Sequence, residues 1–376
     1  MSEPLRILFI ARAYPPTLGG METFAFQLSE ALGRRAHVRR IINSRGKRAL
    51  PLFLPYALAQ AALIARRERI DVIHLADALL APIGAALRVT ASRPVTASVC
   101  GLDVTYDNAL YQRVVPRALE RLDLTMPISE ATEAELLARA ARARSTVIPL
   151  GVNPLPAARE ADRRRFRRLC GEGGRVVLTV GRLVQRKGVA WFAEHVLPSL
   201  PEDVTYAVIG DGSDAERERI VVAAGRAGVV SRVRMLGRVD DGLLAAAYAE
   251  ADAFVMPNIP VPGDIEGFGL VSLEASASGL LVLASDLEGI RQAVLHDRNG
   301  LLLPPRDPDA WVSQLRAVLS EDSSLPARAS AFAAYTQREF GWDATAARYV
   351  DEMARVVQDA RERAARRTRV SSTRSP

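Results

Sequence analysis

The stretch LRILFIARAYPPTLGGMETFAFQLSEALGRRAHVRRII, residues 5–42, decides the fold. It holds two apolar runs, LRILFIA (5–11) and HVRRII (37–42), separated by a segment with apolar residues at steps of three and four. Such steps indicate a helix, and short apolar runs around a helix indicate strands of a parallel sheet covered on both faces. The stretch therefore predicts an α/β protein. The helical positions are Met21, Phe24, Ala25, Leu28, Ala31 and Leu32.

The alternation of strands and helices breaks at residues 151–175 and then restarts. The break is rich in Gly, Pro and charge, which is typical of a linker with a short charged helix. We expect two doubly wound, Rossmann-like domains, each with a sheet of about six strands, that face each other across a cleft. The further predicted strands are DVIHL (71–75), PVTASVC (94–100), LDLTMPI (122–128), TVIPL (146–150), VVLTV (176–180), VTYAVI (204–209), VRMLG (233–237), DAFVMP (252–257), LLVLAS (280–285) and GLLLP (300–304).

The predicted boundaries follow from this break and from a long amphipathic segment near the end of the chain. That segment predicts a final helix, and the polar residues after it predict disorder. The predicted parts are a first domain at 1–152, a linker at 153–175, a second domain at 176–342, a final helix at 343–363 and a basic, disordered tail at 364–376.

Composition bears mainly on location. The chain has 376 residues and two distant cysteines, Cys100 and Cys170, which form neither a disulfide framework nor a zinc site. We therefore expect a cytoplasmic protein. The first apolar run is too short for a signal peptide, and we expect no segment to span a membrane. Residues 50–65 are apolar all round, which fits a buried helix or a surface patch; we expect a partly exposed helix.

The net charge of +7 is unevenly distributed. Residues 1–158 carry 20 Lys and Arg against 13 Asp and Glu. An arginine-rich genome composition would explain the excess, and so would attraction to an anionic membrane surface or an anionic acceptor. Under the second interpretation the protein is peripheral on the inner face of the plasma membrane. No recognition motif for nucleic acid accompanies the charge, so a nucleic-acid partner is not expected.

The strongest motif is EGFGLVSLE, which places Glu266 and Glu274 on either side of a helix start. The free backbone N–H groups of a first helical turn form an anion site. Carboxylates accept the paired hydrogen bonds that vicinal hydroxyls donate, so the first glutamate would meet a sugar and the second a ribose. The alternative is a solvated glutamate and a glycine-rich connection before a core helix.

A second motif, VGRLVQRKG, follows the first predicted strand of the second domain. Its Arg182 and Lys187 would neutralise the charge that develops on a departing diphosphate, which needs cations when no metal is present. No Asp-x-Asp triplet suggests a metal-bound diphosphate, and Asp240-Asp241 is more simply a helix cap. Otherwise, Arg182 and Lys187 are ordinary surface residues of a basic protein.

The remaining motifs are weaker. Gly19 and Gly20 follow the first strand and would let the backbone approach a phosphate or sugar, although a plain tight turn fits as well. Gly210-Asp-Gly212 resembles a dinucleotide fingerprint but lacks the acidic residue further on and follows a second strand, so we discount it. His74 ends a strand, and we expect a structural histidine there.

Together these segments resemble the retaining nucleotide-sugar glycosyltransferases of family 4, which have the GT-B fold. The loop before Glu274 looks particularly like that of bacterial phosphatidylinositol-mannoside mannosyltransferases. The resemblance implies a GDP- or UDP-linked hexose donor, such as mannose, a lipid or glycan acceptor in the first domain, and no metal or other cofactor. It also implies that the last helix, from Asp343 onward, crosses back onto the first domain. The implied roles are diphosphate binding by Arg182 and Lys187, donor-sugar binding by Glu266 with the helix start at Gly267, Phe268, Gly269 and Leu270, ribose binding by Glu274, and base contacts from Leu236, Gly237, Arg238 and Val239.

One position departs from the family pattern. Family members commonly have a histidine after the fourth strand, where this chain has Cys100. The substitution leaves two alternatives to an active transferase open: a weak or inactive relative that binds nucleotide sugar as a partner subunit, or a nucleotide-sugar enzyme of another kind on the same fold, such as an epimerase. The cysteine side chain either fills a small core gap or faces the cleft.

Overall fold

A computed structural model describes residues 3–17, 19–320 and 325–372. It divides into two compact units. Unit 1 contains Met1–Gly151 and Trp342–Pro376, and unit 2 is Val152–Gly341. Each unit has one parallel sheet with helices on both faces, as the alternation of the sequence predicts.

Unit 1 is built on a five-stranded parallel sheet in the order β2-β1-β3-β4-β5. The first helix buries five of its six predicted apolar positions, so the 3.6-residue period of the opening stretch is confirmed. The elements are β1 Arg6–Ala11, α1 Gly20–Gly33, β2 His37–Ile42, α2 Leu50–Arg67, β3 Val72–Leu75, α3 Ala81–Thr90, β4 Val95–Val99, α4 Gly101–Thr105, α5 Ala109–Leu119, β5 Leu124–Pro127 and α6 Glu130–Arg139.

The sixth strand that the sequence predicts for this sheet, at 146–150, does not form. The segment does run beside β5, because Thr146 N–H donates to Thr125 O and Ile148 N–H donates to Pro127 O. In a parallel ladder the two segments donate hydrogen bonds alternately. Pro127 has no N–H, so β5 cannot donate the next bond to the 146–150 segment. The structure retains one isolated bridge in place of a strand.

Unit 2 has a six-stranded parallel sheet in the order β11-β10-β9-β6-β7-β8, which confirms the six predicted strands. Its elements are α7 Glu160–Cys170, β6 Arg175–Val180, α8 Val189–His195, β7 Val204–Ile209, α9 Asp214–Arg226, β8 Val233–Gly237, α10 Asp241–Glu250, β9 Ala253–Met256, α11 Leu270–Ala277, β10 Val282–Ser285, α12 Ile290–Ala293, β11 Leu301–Leu303, α13 Pro308–Val318 and α14 Leu325–Phe340.

The segment predicted as a linker with a short charged helix, 153–175, contains that helix and belongs to unit 2. Its helix α7 packs against α10 and buries Phe166 and Cys170, one helical turn apart. Arg163 adds an ion pair of 3.0 Å to Glu250, whose side chain is 4 % exposed. Although most of α7 is charged, Phe166 and Cys170 form a narrow apolar stripe through which the helix packs against the rest of unit 2.

The final helix, α15 Trp342–Ser372, starts one residue before the predicted position and continues nine residues beyond its predicted end. It packs along α1 in unit 1, where the ring of Trp342 lies 6.1 Å from that of Phe24. Residues 364–372 are therefore helical, in contrast to the predicted disorder, because alanine and arginine are strong helix formers. The rest of the predicted tail, 373–376, lies outside the described residues.

Helix α2 confirms the partly exposed helix expected over residues 50–65. It buries Phe53, Ala57 and Ala61 at four-residue spacing in the core of unit 1 and leaves Leu52 81 % exposed. The expectation that no segment has the composition of a membrane span needs correction. Together with the turn before it, α2 forms a helical segment, Lys47–Arg67, that is long enough and apolar enough to cross a membrane. Its inner side, however, is packed in the core.

Candidate functional site

The carboxyl edge of the unit 2 sheet carries the loops of the two strongest motifs. Strand β6 lies between β9 and β7, so the chain turns to opposite sides of β6 at this point. Ligands of doubly wound sheets bind at such a switch point, outside the carboxyl ends of the strands. The loop after β6 contains Arg182 and Lys187, and the loop after β9 contains Glu266.

A close backbone contact locks these two loops together. Gly188 has a φ of +66°, and a Cβ at this position would lie 1.9 Å from the carbonyl oxygen of Pro257. Only glycine fits this approach. Two residues away, Ile259 N–H donates to the carbonyl of Arg186 at 2.8 Å. The contact fixes the position of the lysine just before Gly188 relative to the glutamate loop.

Lys187 and Glu266 form a buried ion pair. Their Nζ and Oε2 atoms are 2.6 Å apart, and both residues are 8 % exposed. Asn258 Nδ2 donates to the same carboxylate oxygen at 3.0 Å. Burial alone would raise the pKa of Glu266, but the Lys187 and Arg186 charges together lower it below its ordinary value. The carboxylate is therefore ionised and fixed in place as a hydrogen-bond acceptor.

Three neighbours of this pair are absent from the sequence prediction. Arg186 is 9 % exposed, and its Nη1 lies 3.0 Å from Asp264, while its Nε lies 3.5 Å from Glu266. Glu288 adopts a φ of +47°, which is unusual for a residue with a side chain, and its Oε2 accepts the Glu266 N–H at 2.5 Å. Arg186 adjoins a predicted residue, whereas Glu288 lies 22 positions away, and only the fold brings it to the site.

Arg182 differs from Lys187 in its surroundings. Its side chain is exposed, and among the described residues no side chain or backbone group is bonded to it. Its charge nevertheless acts on Lys187. Burial lowers the pKa of Lys187 most, and the Arg186 and Arg182 charges lower it further. The loop thus holds one exposed cation next to a buried one.

The start of α11 supplies the backbone part of the predicted donor site. Gly269 has a φ of +86° and directly precedes Leu270, the first residue of the helix. The N–H groups of Phe268 and Gly269 have no acceptor within the described part of the chain. Gly267 O lies 2.2 Å from the position of a Cβ on Gly289, so this loop also rests on a close backbone contact. Free N–H groups at a helix start attract anions.

Glu274 lies in the second turn of α11 and is half-buried. Its Oε2 accepts a hydrogen bond of 3.2 Å from the hydroxyl of Tyr248 on α10, a residue that the sequence prediction missed. Burial raises the pKa of Glu274. The carboxylate is held by one partner, and the sequence spacing that pointed to it gave no sign of this tyrosine.

The segment predicted to contact the nucleotide base lies at the same carboxyl edge of the unit 2 sheet. Leu236 and Gly237 end β8, and Arg238 and Val239 follow it. Gly237 O accepts the N–H of Gly210, the residue after β7. A Cβ on Gly210 would lie 1.8 Å from Gly181 O, so this glycine serves a close approach between loops, in keeping with the discounted dinucleotide motif.

Unit 1 carries a second charged cluster at the carboxyl edge of its own sheet. Arg12 follows β1, Asp77 follows β3, and Asp103 lies in α4 after β4. Arg12 Nε is 2.8 Å from Asp77 Oδ1, and its Nη2 is 3.9 Å from Asp103 Oδ1. Burial and then the Asp77 charge raise the pKa of Asp103 to about 7. Their positions directly after strands are the signal that could have revealed Arg12 and Asp77.

Cys100 lies beside this cluster. Its N–H donates to Asp103 Oδ2 at 3.1 Å, and its side chain packs against the apolar residues between the sheet and α1. Burial, and then the Asp103 and Asp77 charges, raise the pKa of the thiol well above its ordinary value. The thiol is therefore neutral, and the half-buried side chain packs on one side against the core, which fits the first of the two roles that the sequence left open.

The glycine pair after β1 lies at the start of α1. Gly19 precedes the helix with an extended backbone, and a Cβ there would lie 2.3 Å from Glu22 Oε2. Gly20 is the first residue of the helix, and a Cβ there would meet nothing within 4 Å. His74, by contrast, is fully buried and bonded to Thr96 and Ser98, as expected for a structural histidine.

Two protein-family models match the chain. The model Glycosyltransferase Family 4 matches residues 18–154, and the model Glycosyl transferases group 1 matches residues 174–321. Together they cover about three quarters of the sequence. The two matches fall in units 1 and 2, respectively, and the second includes every predicted donor-site residue of unit 2.

Named relatives and solved structures point the same way. The chain is 28 % identical over 380 residues to the GDP-mannose-dependent alpha-(1-6)-phosphatidylinositol monomannoside mannosyltransferase of Mycobacterium tuberculosis, covering 92 % of this chain and 97 % of that one. It is 37 % identical over 186 residues to the D-inositol 3-phosphate glycosyltransferase of Xylanimonas cellulosilytica, covering 49 % and 43 %. The structure of Anabaena HepE in complex with UDP superposes with a TM-score of 0.72 at 20 % identity, over 93 % and 100 % of the two chains.

Proposed function

Because the chain belongs to family 4 of the glycosyltransferases, an enzyme family with the GT-B fold, we propose that it is a retaining, metal-independent hexosyltransferase. The donor would be a GDP- or UDP-linked hexose such as mannose, and the acceptor a lipid or glycan. The observation that carries the proposal is the cluster of Arg182, Arg186 and Lys187 beside the free N–H groups at the start of α11.

In the proposed reaction the bond between the anomeric carbon and the diphosphate breaks, and the acceptor oxygen bonds to that carbon. The acceptor proton passes to the departing diphosphate, so no protein base is required. Negative charge grows on the diphosphate as the bond breaks, and Lys187 and Arg182 stabilise it. Glu266 accepts hydrogen bonds from the donor sugar, and Glu274 from the ribose.

The test is incubation of the protein with labelled nucleotide sugars, with and without candidate acceptors. Release of nucleoside diphosphate together with a glycosylated acceptor would support a transferase. Binding without release would instead indicate an inactive relative, which the histidine-to-cysteine departure at position 100 keeps open. Formation of a new nucleotide sugar would indicate an epimerase.

A thermal-shift panel of UDP- and GDP-sugars would identify the donor. A ligand at 100 times its dissociation constant adds roughly 2.7 kcal/mol to the free energy of unfolding, which is a measurable shift. The mannose-specific name of the Mycobacterium tuberculosis relative favours GDP-mannose as the first probe. HepE was solved with UDP, so UDP-glucose is the second.

Metal independence has its own test. The protein supplies three cations, Arg182, Arg186 and Lys187, at the place proposed for the diphosphate. We expect turnover to survive excess EDTA unchanged. Loss of turnover in EDTA that magnesium or manganese restores would overturn this part of the proposal.

We further propose a cytoplasmic enzyme whose unit 1 contacts the anionic inner face of the plasma membrane. Helices α2 and α5 pack against α3 in one layer on the sheet and leave Leu52 81 %, Tyr56 56 % and Leu110 71 % exposed. Lys47 and Arg48 are exposed in the turn directly before α2. Exposed apolar side chains next to basic ones suit the interface of an anionic bilayer.

Co-sedimentation with vesicles tests this contact. The wild-type protein should bind phosphatidylglycerol-containing vesicles at low salt and lose part of that binding at high salt. Leu52→Ser should weaken binding severalfold, whereas Val221→Ser, a change of a 47 % exposed valine in unit 2, should not. Absence of binding to anionic vesicles at low salt would point to a soluble acceptor.

A further inference from the structure

Tyr248 is among the largest fully buried side chains of unit 2, yet it ends in a polar group. It lies on α10, is 2 % exposed and packs its ring 6.1 Å from the ring of Phe254 on β9. For packing alone, phenylalanine would serve equally well at this position. A buried hydroxyl needs a hydrogen-bond partner, because an unsatisfied one costs about 1–3 kcal/mol.

The hydroxyl of Tyr248 has that partner in the Glu274 carboxylate, at 3.2 Å from Oε2. Glu274 lies 26 residues further along the chain, on α11, so the bond ties two helices together at the carboxyl edge of the sheet. Within the described residues, the other carboxylate oxygen, Oε1, has no partner. The carboxylate is therefore engaged on one side and available on the other.

The bond also favours the charged form of the carboxylate. Burial raises the pKa of Glu274, and the hydrogen bond from Tyr248 acts in the opposite direction. Only the ionised carboxylate can accept on both oxygens, from Tyr248 on one and from ligand hydroxyls on the other; a protonated one would present a donor of its own. A side chain with several rotatable bonds also loses less entropy on binding if it is already fixed.

We propose that Tyr248 is a positioning residue of the donor site, which fixes Glu274 through one oxygen and leaves the other to receive the vicinal diol of the nucleotide. The inference rests on the proposed function, in which Glu274 accepts from the ribose. Tyr248 itself stays beneath the site and touches no substrate.

The experiment compares wild type with four variants of the full chain by calorimetric titration with UDP, GDP and ADP. Tyr248→Phe should weaken binding of the preferred nucleotide about five- to tenfold, up to about 1.4 kcal/mol. Glu274→Ala should weaken it at least as much, and adding Tyr248→Phe to Glu274→Ala should change nothing further. The matched control is Tyr206→Phe, which removes the hydroxyl of another fully buried tyrosine, bonded to Thr179 in the same unit.

A pH series adds a readout that a purely structural role would not move. Nucleotide affinity should fall as the solution is acidified and Glu274 takes up a proton. In Tyr248→Phe this fall should occur at a higher pH, because the hydrogen bond that favours the carboxylate is gone. Tyr206→Phe should keep the wild-type midpoint.

The outcomes separate the inference from the function on which it rests. Equal affinity of wild type and Tyr248→Phe, with Glu274→Ala weakened, would overturn the role of Tyr248 alone. Equal losses in Tyr248→Phe and Tyr206→Phe would show a general packing effect and overturn it too. A wild-type protein that binds none of the three nucleotides would overturn the proposed function itself.

Discussion

Units 1 and 2 have the same kind of sheet and carry charged side chains at the same edge of it, but the balance of charge differs. In unit 1 one cation, Arg12, faces two carboxylates, Asp77 and Asp103. All three are largely buried, with side chains 15 %, 1 % and 7 % exposed. With both carboxylates ionised the cluster has an excess negative charge, and burial makes that charge costly.

In unit 2 three cations, Arg182, Arg186 and Lys187, balance three carboxylates, those of Glu266, Asp264 and Glu288. Arg186 and Lys187 contact Glu266, and the Arg182 charge acts on Lys187. The exposed Arg182 has no counter-charge bonded to it among the described residues. Both units have helix starts at this edge of the sheet, so this feature does not determine which ligand binds. The residues placed after the strands differ between the units, and the proposal that unit 2 binds a diphosphate and unit 1 binds hydroxyl groups rests on this difference.

The largest expected effect comes from removing the single cation of unit 1. Arg12→Met leaves two buried carboxylates without compensation, so the free energy of unfolding should fall by about 3–5 kcal/mol. Urea unfolding of the full chain measures it. The control is Arg34→Met, which breaks an exposed ion pair of 2.9 Å with Asp343 and should cost at most about 1 kcal/mol. Equal effects of the two changes would contradict the view that the cluster depends on Arg12.

In unit 2 the corresponding change should affect turnover. Lys187→Ala removes the cation that faces the growing charge of the diphosphate, so kcat should fall roughly 10²–10³-fold, and donor affinity much less. Arg226→Ala, on the exposed side of α9, is the control and should leave kcat unchanged. An unchanged kcat in Lys187→Ala would show that the buried pair with Glu266 is only structural.

How much of this contrast the sequence reveals depends on whether a residue's neighbours are local. The strands, the cap at Asp240, whose side chain accepts from Leu243 N–H, and the placement of Lys187 and Glu266 in loops after strands all follow from nearby residues. Only local periodicity and spacing are needed for these, and the structure agrees with them. The sixth strand of unit 1 failed on a local detail, the missing N–H of Pro127 in its neighbour.

The rest depends on the order of strands, which a single sequence does not state. Arg12, Asp77 and Asp103 are 65 and 26 residues apart in succession and meet only because β1, β3 and β4 are adjacent. Tyr248 reaches the site from a different helix. Arg12 and Asp77 can be proposed from a sequence as strand-end positions, but the residues with which they pair cannot.

The pH dependence of unit 1 sharpens the comparison. The pKa of Asp103 is about 7 in the folded chain, above its ordinary value, so the folded state holds this proton more tightly. The stabilisation of the folded state by this tighter proton binding is complete below about pH 4 and is lost as the pH rises through 7. Asp103→Asn cannot lose a proton, so it should be more stable than wild type at pH 8.5, and this advantage should shrink by about 2–3 kcal/mol at pH 5. Unfolding midpoints measured at both pH values test this.

The control for this prediction is Asp107→Asn, an exposed aspartate close by in the same unit. This change removes one exposed charge and should leave the unfolding midpoints close to those of wild type. If Asp103→Asn were less stable than wild type at both pH values, the hydrogen bond from Cys100 N–H and the attraction to Arg12 would outweigh the cost of the buried charge. The description of the cluster as overcharged would then be wrong.

The smallest effect is expected for Cys100, although its position is the one that departs from the family pattern. The thiol is neutral and packs against the core, so it neither attacks a substrate nor takes a proton at neutral pH. Its backbone N–H, which caps Asp103, is kept in any substitution. Cys100→Ala should therefore keep turnover within about tenfold, a change of less than roughly 1.4 kcal/mol in the barrier. Complete loss of turnover, with folding and nucleotide binding intact, would show that the sulfur takes part in the chemistry and that the edge of unit 1 contributes more than hydroxyl binding.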